Sequence, residues 1–261
     1  MNRGTGLDIV VVGAGNVATH LAHAFAASGN RIAQVYSRKL ETAQVLAQRF
    51  GVPYTNNFAM LKADADVYIF SVADDALFDI TSHIRLADKI CFHTSGTVPM
   101  EVMAAVTNNY GVVYAPQTFV KHIAMDYSVL PFCIEASNQY TLDTLLSMVK
   151  NVSDNVHILS GEQRKYLHLA SVFANNFGNC INAMAQHIMS EHNLPFEIVQ
   201  PLIQETANKA TQGNLWQLQT GPARRGDTKT LEKHRDLLSD TPDYLEIYNL
   251  LTSMIEKHTE N

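Results

Sequence analysis

The chain opens with an uninterrupted apolar segment that runs into a glycine-rich turn. Residues 7–12 read LDIVVV, which is typical of a strand buried on both faces. The turn GAGNVA follows directly, and apolar positions then recur at helical spacing over residues 17–25. A strand, a G-x-G-x-x-A turn and a helix in succession favour dinucleotide binding over a plain strand–helix turn, because bare backbone and the helix N-terminus meet a pyrophosphate there. The residues expected at the pyrophosphate are Gly13, Gly15, Asn16, Val17 and Ala18.

Short apolar segments and helical segments then alternate as far as residue 160. The further predicted strands are 31–37, 66–72, 89–94, 111–115, 131–136 and 156–159. Residues 39–50 are predicted to form a crossover helix, which Gly51 and Pro53 end. This alternation predicts an α/β domain over residues 1–160, with a doubly wound, mostly parallel sheet covered by helices on both faces.

Strand signals stop near Gly161, and the remaining pattern is helical. We expect helices over 162–191 and 195–210, and two more after Asp227 and after Thr241. Thr241 precedes Pro242, so an oxygen-bearing N-cap stands before a proline at the first helical position. Residues 161–261 are therefore predicted to form a smaller, all-helical domain.

Composition excludes several classes of protein. The 261 residues are 46% hydrophobic and 17% charged, which favours globular domains, and the net charge of -6 argues against nucleic acid as a partner. No apolar run approaches the roughly 18 residues of a membrane span, and no signal peptide is seen, so we expect a soluble, cytoplasmic protein. His20 and His23 share a helix face without a third ligand, so we expect a solvated face and no metal site.

The end of the second strand indicates which dinucleotide binds. Proteins that prefer NAD place an acid there, whereas this chain has Ser37, Arg38 and Lys39, which suit the 2′-phosphate of NADP. NAD stays open as an alternative, since cations at a strand end are often merely solvated. The strand that ends at Ser71-Val72-Ala73 is expected to pass beneath the nicotinamide ribose, although Asp74 or Asp75 could serve there only as an N-cap.

Three polar clusters are candidates for the substrate site. The first follows the strand 89–94, and it consists of His93, Thr94, Ser95, Gly96 and Thr97. The second is a stripe at steps of three and four along the predicted long helix, made of His168, Ser171, Asn175, Asn179, Asn182 and Gln186. The third is a glycine-bracketed loop with Arg224 and Arg225, whose guanidinium groups suit a carboxylate or a phosphate. Each cluster also has a non-functional interpretation. The first could be only a turn before a helix, the second could face water, and the third could be only a connection between helices in which Asp227 is an N-cap.

Several motifs together resemble a known family. The segments GAGNVATHLA, VYSRK, FHTSGTVPM, APQTF, LHLASVFANNF and QTGPARRGD cover essentially the whole chain. They are similar to a family of NADP-dependent oxidoreductases that joins a Rossmann domain to a helical domain of unknown function. Its relatives are pyrroline-5-carboxylate reductase, deazaflavin-dependent NADP reductases and the 3-hydroxyisobutyrate and 6-phosphogluconate dehydrogenases. The resemblance implies a C-terminal domain like that of 6-phosphogluconate dehydrogenase, a homodimer formed through it, and a substrate loop at residues 94–97.

One departure from those relatives affects the expected mechanism. The hydroxyacid dehydrogenases place a catalytic lysine four residues before an asparagine on the long helix, whereas here Ser171 precedes Asn175. We therefore expect His93 and His168 to act as acid or base, since imidazole titrates near neutral pH, with Asn175 and Ser95 orienting the substrate and Arg225 pairing with its anion. The neighbouring Asn176, the 94–97 loop and the two arginines are expected to bind substrate.

The sequence thus predicts an NADP-dependent oxidoreductase that moves hydride between the nicotinamide and a small polar substrate with a C=O or C=N group. Two alternatives stay open. The missing lysine favours a non-catalytic NADP sensor that acts on another protein, and a deazaflavin-dependent reductase would need an open apolar face beside the nicotinamide.

Overall fold

The computed structural model describes residues 6–259 of the chain. The chain divides into two compact units, Met1–Asn175 and Asn176–Asn261, and the division falls inside the π-helical turn Val172–Phe177. The domain boundary predicted at residue 160 stays a prediction. No helix in the described part of the chain is both long and apolar enough to cross a membrane.

The first unit is built on an eight-stranded sheet of order β3-β2-β1-β4-β5-β6-β7-β8. All neighbouring strands pair in parallel except β6 and β7, which are antiparallel. The strands are β1 (Asp8–Val12), β2 (Arg31–Tyr36), β3 (Tyr54–Thr55), β4 (Val67–Phe70), β5 (Ile90–His93), β6 (Asn109–Tyr114), β7 (Phe132–Ala136) and β8 (Val156–Ile158). The doubly wound, mostly parallel sheet is confirmed, and only β3 was missed because two residues are too short to show a pattern.

Helices cover both faces of this sheet. They are α1 (Asn16–Ala27), α2 (Leu40–Gln48), α3 (Asp74–His83), α4 (Gln139–Lys150) and α5 (Gly161–Ser171), with 3-10 turns at Phe58–Met60, Met100–Ala105 and Tyr127–Val129. Along β1, Ile9 and Val11 belong to one apolar cluster and Val10 and Val12 to another, all fully buried. Burial on both faces explains why residues 9–12 of this strand are all apolar.

In the first unit, one of the alternatives left open and one expectation are wrong. The residue at the N-cap of α3 is Ala73, so Asp74 and Asp75 lie in the first helical turn and cap nothing with their side chains. His20 does not lie on a solvated face, because it is only 4% exposed and both of its ring nitrogens are hydrogen-bonded. Histidine is polar enough to need partners when buried, and α1 places it against the segment that joins β6 to β7.

The regular secondary structure of the second unit is all helical among its described residues. Its elements are α6 (Gly178–Glu191), a 3-10 turn (Phe196–Ile198), α7 (Gln200–Lys209), α8 (Pro222–Arg225), α9 (Thr228–Leu237) and α10 (Pro242–Thr259). Residues 161–191 are helical without a break, in agreement with the predicted long helix 162–191, and the π-helical turn joins α5 to α6 within it. The loop with the two arginines contains the short helix α8, and Asp227 caps α9 by accepting the Thr230 N–H at 3.2 Å.

Candidate functional site

A cavity of about 900 Å³ lies at the carboxyl ends of β1, β2, β4 and β5. The strand order reverses between β1 and β4, and this is where doubly wound sheets bind their ligands. Its lining includes Gly13, Gly15, Asn16, Val17, Ser37, Arg38, Lys39, Ser71, Val72, Ala73, Thr94, Ser95 and Lys121. Except for Ala18, every residue predicted to bind the cofactor therefore lines this one space, which we call the cofactor cavity.

The two glycines of the turn are needed for different reasons. Gly13 has φ +121°, and a Cβ there would lie 2.0 Å from the Ser71 carbonyl oxygen, so the fold itself requires glycine. A Cβ at Gly15 would meet no described atom within 4 Å, because that side of the backbone faces open space. Ala18 is fully buried in the core, where it holds α1 close to the sheet. The turn leaves room for a pyrophosphate at Gly15, as the fingerprint predicts.

The far end of the cavity carries positive charge. Arg38 and Lys39 are exposed at its margin, and the Ser37 hydroxyl lies 2.8 Å from the Thr42 hydroxyl. No carboxylate stands between β2 and these cations, since the first acid, Glu41, is already in the first turn of α2. The residues present therefore fit a ribose 2′-phosphate, which needs cations and hydroxyl donors.

The loops after β4 and β5 are tied to each other beside the cavity. The Thr94 hydroxyl donates to the Ser71 hydroxyl at 3.2 Å, and the Thr97 hydroxyl donates to the Asp74 carboxylate at 2.8 Å. Within the second loop, the Ser95 hydroxyl accepts the backbone N–H of Thr97 at 3.1 Å. These bonds hold the loop 94–97 against the residues that follow β4, at the edge of the cavity.

His93 sits beneath this loop and is fully buried. Its Nδ1 accepts the Ser95 N–H at 3.2 Å, while its Nε2 has no hydrogen-bond partner among the described residues. Burial, aided by the positive charge of Arg164, lowers the pKa of His93 to about 4, so the ring is neutral at pH 7. The predicted exchange of a proton with substrate stays a prediction, but this burial favours a role in holding the loop.

Arg164 is a site residue that the sequence did not reveal. It is 1% exposed, and its guanidinium donates to the Ser95 carbonyl oxygen at 2.9 Å and to the Glu135 carboxylate at 3.0 Å. The other oxygen of Glu135 accepts the Gly161 N–H, at the start of α5, at 2.7 Å. One ion pair therefore joins β7, the loop 94–97 and the helix that carries His168.

His168 lies one turn beyond Arg164 on α5 and contacts the same loop. A Cβ on the buried Gly96 would lie 2.5 Å from His168 Nδ1, so only glycine admits the imidazole there. His168 Nδ1 also lies 3.2 Å from the hydroxyl of Tyr114, the last residue of β6, and the two rings meet edge to face at 5.9 Å. Burial raises the pKa of Tyr114, which keeps its proton on the oxygen.

Tyr114 was also missed, although a signal for it existed. It ends a predicted strand, and carboxyl ends of strands are where such sheets place functional groups. The tyrosine hydroxyl and the imidazole are in contact, so one proton can pass between them. Thr94 and Ser95 line the cofactor cavity, and the next residue contacts His168.

The remaining predicted substrate residues are placed as follows. Asn175 and Asn176 lie in the π-helical turn and are exposed. The Ser171 hydroxyl donates a hydrogen bond to the Leu167 carbonyl oxygen at 2.8 Å. Arg224 and Arg225 belong to α8 of the second unit. The roles of these four residues stay predictions. Among residues 6–259, no three histidine, cysteine or acidic side chains cluster closely enough to hold a metal ion.

Comparison with known families identifies both parts of the chain. Residues 8–92 match the family described as NADP oxidoreductase, coenzyme F420-dependent, and residues 130–255 match a domain of unknown function, DUF2520. No curated protein sequence matches the chain.

Solved structures resemble the chain over nearly its full length. A "putative NADP oxidoreductase" from Bacteroides fragilis is 38% identical with a TM-score of 0.90, covering 97% of this chain and 98% of that one. A reductive aminase from Aspergillus terreus, solved with NADPH and ethyl levulinate, is 14% identical with a TM-score of 0.73 over 98% and 94% of the two chains. A pyrroline-5-carboxylate reductase from Streptococcus pyogenes is 10% identical with a TM-score of 0.61 over 97% and 99%. The identity of 38% to the Bacteroides fragilis protein, over nearly the full length of both chains, shows membership of the same family and not only a shared fold. The chain therefore belongs to the NADP-dependent oxidoreductases in which a Rossmann domain is followed by this helical domain of unknown function.

Proposed function

We propose that the protein catalyses hydride transfer between NADP and a small polar substrate that carries a C=O or C=N group. The main support for this proposal is the contact between the Tyr114 hydroxyl and His168 Nδ1. His168 also contacts Gly96, the residue that follows Thr94 and Ser95 in the lining of the cofactor cavity. When bound, the nicotinamide supplies or accepts the hydride. The chain itself has to hold the substrate, exclude water and move one proton.

Tyr114 and His168 suit the proton step. In the direction of reduction, the carbonyl oxygen or imine nitrogen gains a proton as its carbon gains the hydride, and the neutral Tyr114 hydroxyl is a donor at pH 7. His168, in contact with that hydroxyl, can return a proton to it. We further propose that Asn175 orients the substrate and that Arg225 pairs with a substrate anion, since an amide and a guanidinium provide those contacts.

The C=N class of substrate has support from the structural neighbours. Among them are proteins named as a reductive aminase, imine reductases and pyrroline-5-carboxylate reductases, all of which share this fold. The chain's own lack of a lysine before Asn175 separates it from the hydroxyacid dehydrogenases. An imine is therefore the first substrate class to test.

We also propose that the protein works as a homodimer formed through its helical part. Among the described residues of the second unit, only Met189, Ala223, Leu231 and Thr252 are buried. Its exposed large apolar side chains include Ile181, Ile188, Leu194, Leu202, Trp216, Leu250 and Leu251. So little buried surface does not stabilise an 86-residue helical unit alone, whereas a second copy would cover these side chains.

A cytoplasmic location agrees with the cysteines. Cys91, Cys133 and Cys180 are all free thiols, and the first two are buried. Unpaired thiols are typical of a reducing compartment.

Stopped-flow absorbance at the reduced-nicotinamide band tests the proposed reaction. NADPH bound to the protein is mixed with a panel of cyclic imines, oxo acids with amines, and a deazaflavin. Oxidation by an imine or an oxo compound supports the proposal, whereas tight NADPH binding with no turnover would favour a sensor. Oxidation by the deazaflavin alone would favour the second candidate, which the family match over residues 8–92 supports.

A further inference from the structure

We propose that Lys121 is a cofactor-binding residue whose ammonium group pairs with the pyrophosphate of the dinucleotide. This inference rests on the proposed location of the cofactor in the cofactor cavity. Lys121 lies in the connection between β6 and β7, more than a hundred residues from the glycine turn, and its side chain lines the cavity. It is a binding group separate from the fingerprint and from the cations after β2.

The position of the ammonium group follows from one hydrogen bond. Lys121 Nζ donates to the carbonyl oxygen of Ala14, the middle residue of the G-A-G turn, at 2.6 Å. The peptide bond that follows joins this carbonyl to the nitrogen of Gly15, so covalent geometry limits the separation between Nζ and the Gly15 nitrogen to about 5 Å. Lys121, Gly15 and Asn16 also line the same cavity, so a phosphate group bound there beside the turn lies near the Lys121 side chain.

The ammonium has donors left for such a phosphate. It carries three N–H bonds, of which Ala14 takes one, and the described residues offer Lys121 no other hydrogen bond or ion pair. Glu41 lines a smaller neighbouring cavity together with Lys121 but forms no ion pair with it. Because no carboxylate among the described residues pairs with the Lys121 ammonium, it is free to form an ion pair with a phosphate bound at the glycine turn.

The lysine is held in place by a buried histidine. His20 Nε2 lies 2.9 Å from the Val120 carbonyl oxygen, and His20 Nδ1 lies 3.0 Å from the Tyr127 hydroxyl. Because a carbonyl only accepts, Nε2 carries the proton, and in the neutral ring Nδ1 accepts from the tyrosine. Phe119 is buried in the core and contacts the same ring at 5.3 Å. Helix α1 thus fixes both the turn that meets the phosphate and the segment that carries Lys121.

The choice between the two phosphate positions of NADP gives the proposal its sharpest test. A group at the pyrophosphate contributes to the binding of NADPH and NADH alike, whereas a group at the 2′-phosphate contributes to NADPH only. The variant is Lys121→Met, which keeps the length and the apolar stem of the side chain. We expect calorimetric titration to show that both cofactors lose affinity by a similar factor, roughly tenfold or more.

The matched controls are Lys121→Arg and Lys150→Met. Arginine keeps the charge and is expected to restore most of the affinity, and Lys150 is an exposed lysine at the end of α4, where its replacement should change neither affinity. Raising the salt concentration should weaken cofactor binding less in Lys121→Met than in the wild type, because one ion pair is already missing. Thermal melting of each variant establishes that it is folded before titration.

Each result bears on the proposal. Unchanged affinities in folded Lys121→Met would show that the lysine only ties its segment to the turn, and a loss confined to NADPH would place it at the 2′-phosphate; either overturns the proposal. If Lys121→Met does not fold, Tyr127→Phe loosens the same segment from His20, and the proposal then requires both cofactors to weaken together. Failure of the wild type to bind either cofactor would instead contradict the proposed function.

Discussion

The guanidinium group of Arg164 lies 3.0 Å from the carboxylate of Glu135, in an ion pair whose arginine side chain is 1% exposed and whose glutamate side chain is 16% exposed. The same guanidinium holds the Ser95 carbonyl oxygen, and the same carboxylate holds the N-terminus of α5. Because both groups are largely buried, removing one of them leaves the other charge without a partner and with little access to water, which lowers the free energy of unfolding. The position of His168 against the loop 94–97 therefore depends on this pair.

Replacing Arg164 by methionine is expected to destabilise the first unit. The change leaves the Glu135 carboxylate largely buried without its partner, and we expect a loss of about 3 kcal/mol in the free energy of unfolding. Urea denaturation monitored by circular dichroism measures it. The double variant Arg164→Met, Glu135→Gln should recover part of the loss because no charge is then left behind. Equal stability of the single variant and the wild type would contradict the ion pair.

Gly96→Ala is expected to impair catalysis more than folding. The added methyl group would lie 2.5 Å from His168 Nδ1, so the imidazole has to leave its present position beside Tyr114. We expect a destabilisation of roughly 1–3 kcal/mol and at least a tenfold slower turnover. Gly178→Ala is the control, since a Cβ there meets no described atom within 4 Å and alanine suits a helix. If Gly96→Ala matched that control in activity, the contact with His168 would be irrelevant to the reaction.

Alanine at the two glycines of the turn should separate folding from binding. Gly13→Ala combines a φ of +121° with a clash against Ser71, so we expect a loss of about 2 kcal/mol or more in stability. Gly15→Ala places its methyl group in open space, and its melting temperature should stay near that of the wild type. Its affinity for NADPH is expected to fall roughly tenfold or more, because the methyl group enters the space proposed for the phosphate. Calorimetry finding full affinity in Gly15→Ala would exclude this turn as the pyrophosphate site.

Stability should depend on pH through His93. Its pKa is about 4 in the folded protein and 6.5 in the unfolded chain, so between these values the unfolded state binds more protons. The stability contribution is therefore full above pH 6.5 and is lost as the pH falls toward 4, by up to about 3 kcal/mol. His93→Asn, whose amide oxygen can accept the Ser95 N–H, should flatten the difference in unfolding free energy across this range. The exposed His157 gives the control His157→Gln, which should behave as the wild type does.

Much of the fold could be predicted because its signals are local. The strand β1, its turn and α1 follow one another in sequence, and the cations after β2 stand directly after a strand end. The π-helical turn and the short helix α8 could not be predicted, since neither changes the spacing of apolar residues enough to show.

The parts of the site that were missed all depend on tertiary contacts. Lys121 reaches the glycine turn from a distant connection, and Tyr114 meets His168 only because β6 and α5 are adjacent. The burial of Arg164 could not be predicted from the sequence, because arginine is rarely buried without a partner and its partner, Glu135, lies on the strand β7. A sequence pattern can predict the strand ends at which functional residues are expected, but which side chains are in contact there depends on the tertiary structure.

The proton step of the proposed reaction is tested most directly by single-turnover kinetics. Wild type, Tyr114→Phe and His168→Asn, each saturated with NADPH, are mixed with the imine or oxo substrate that the wild type reduces, and the decay of the reduced nicotinamide is followed. We expect Tyr114→Phe and His168→Asn each to slow this decay by about a hundredfold or more while the affinity for NADPH stays unchanged. Wild-type rates in both variants would contradict it.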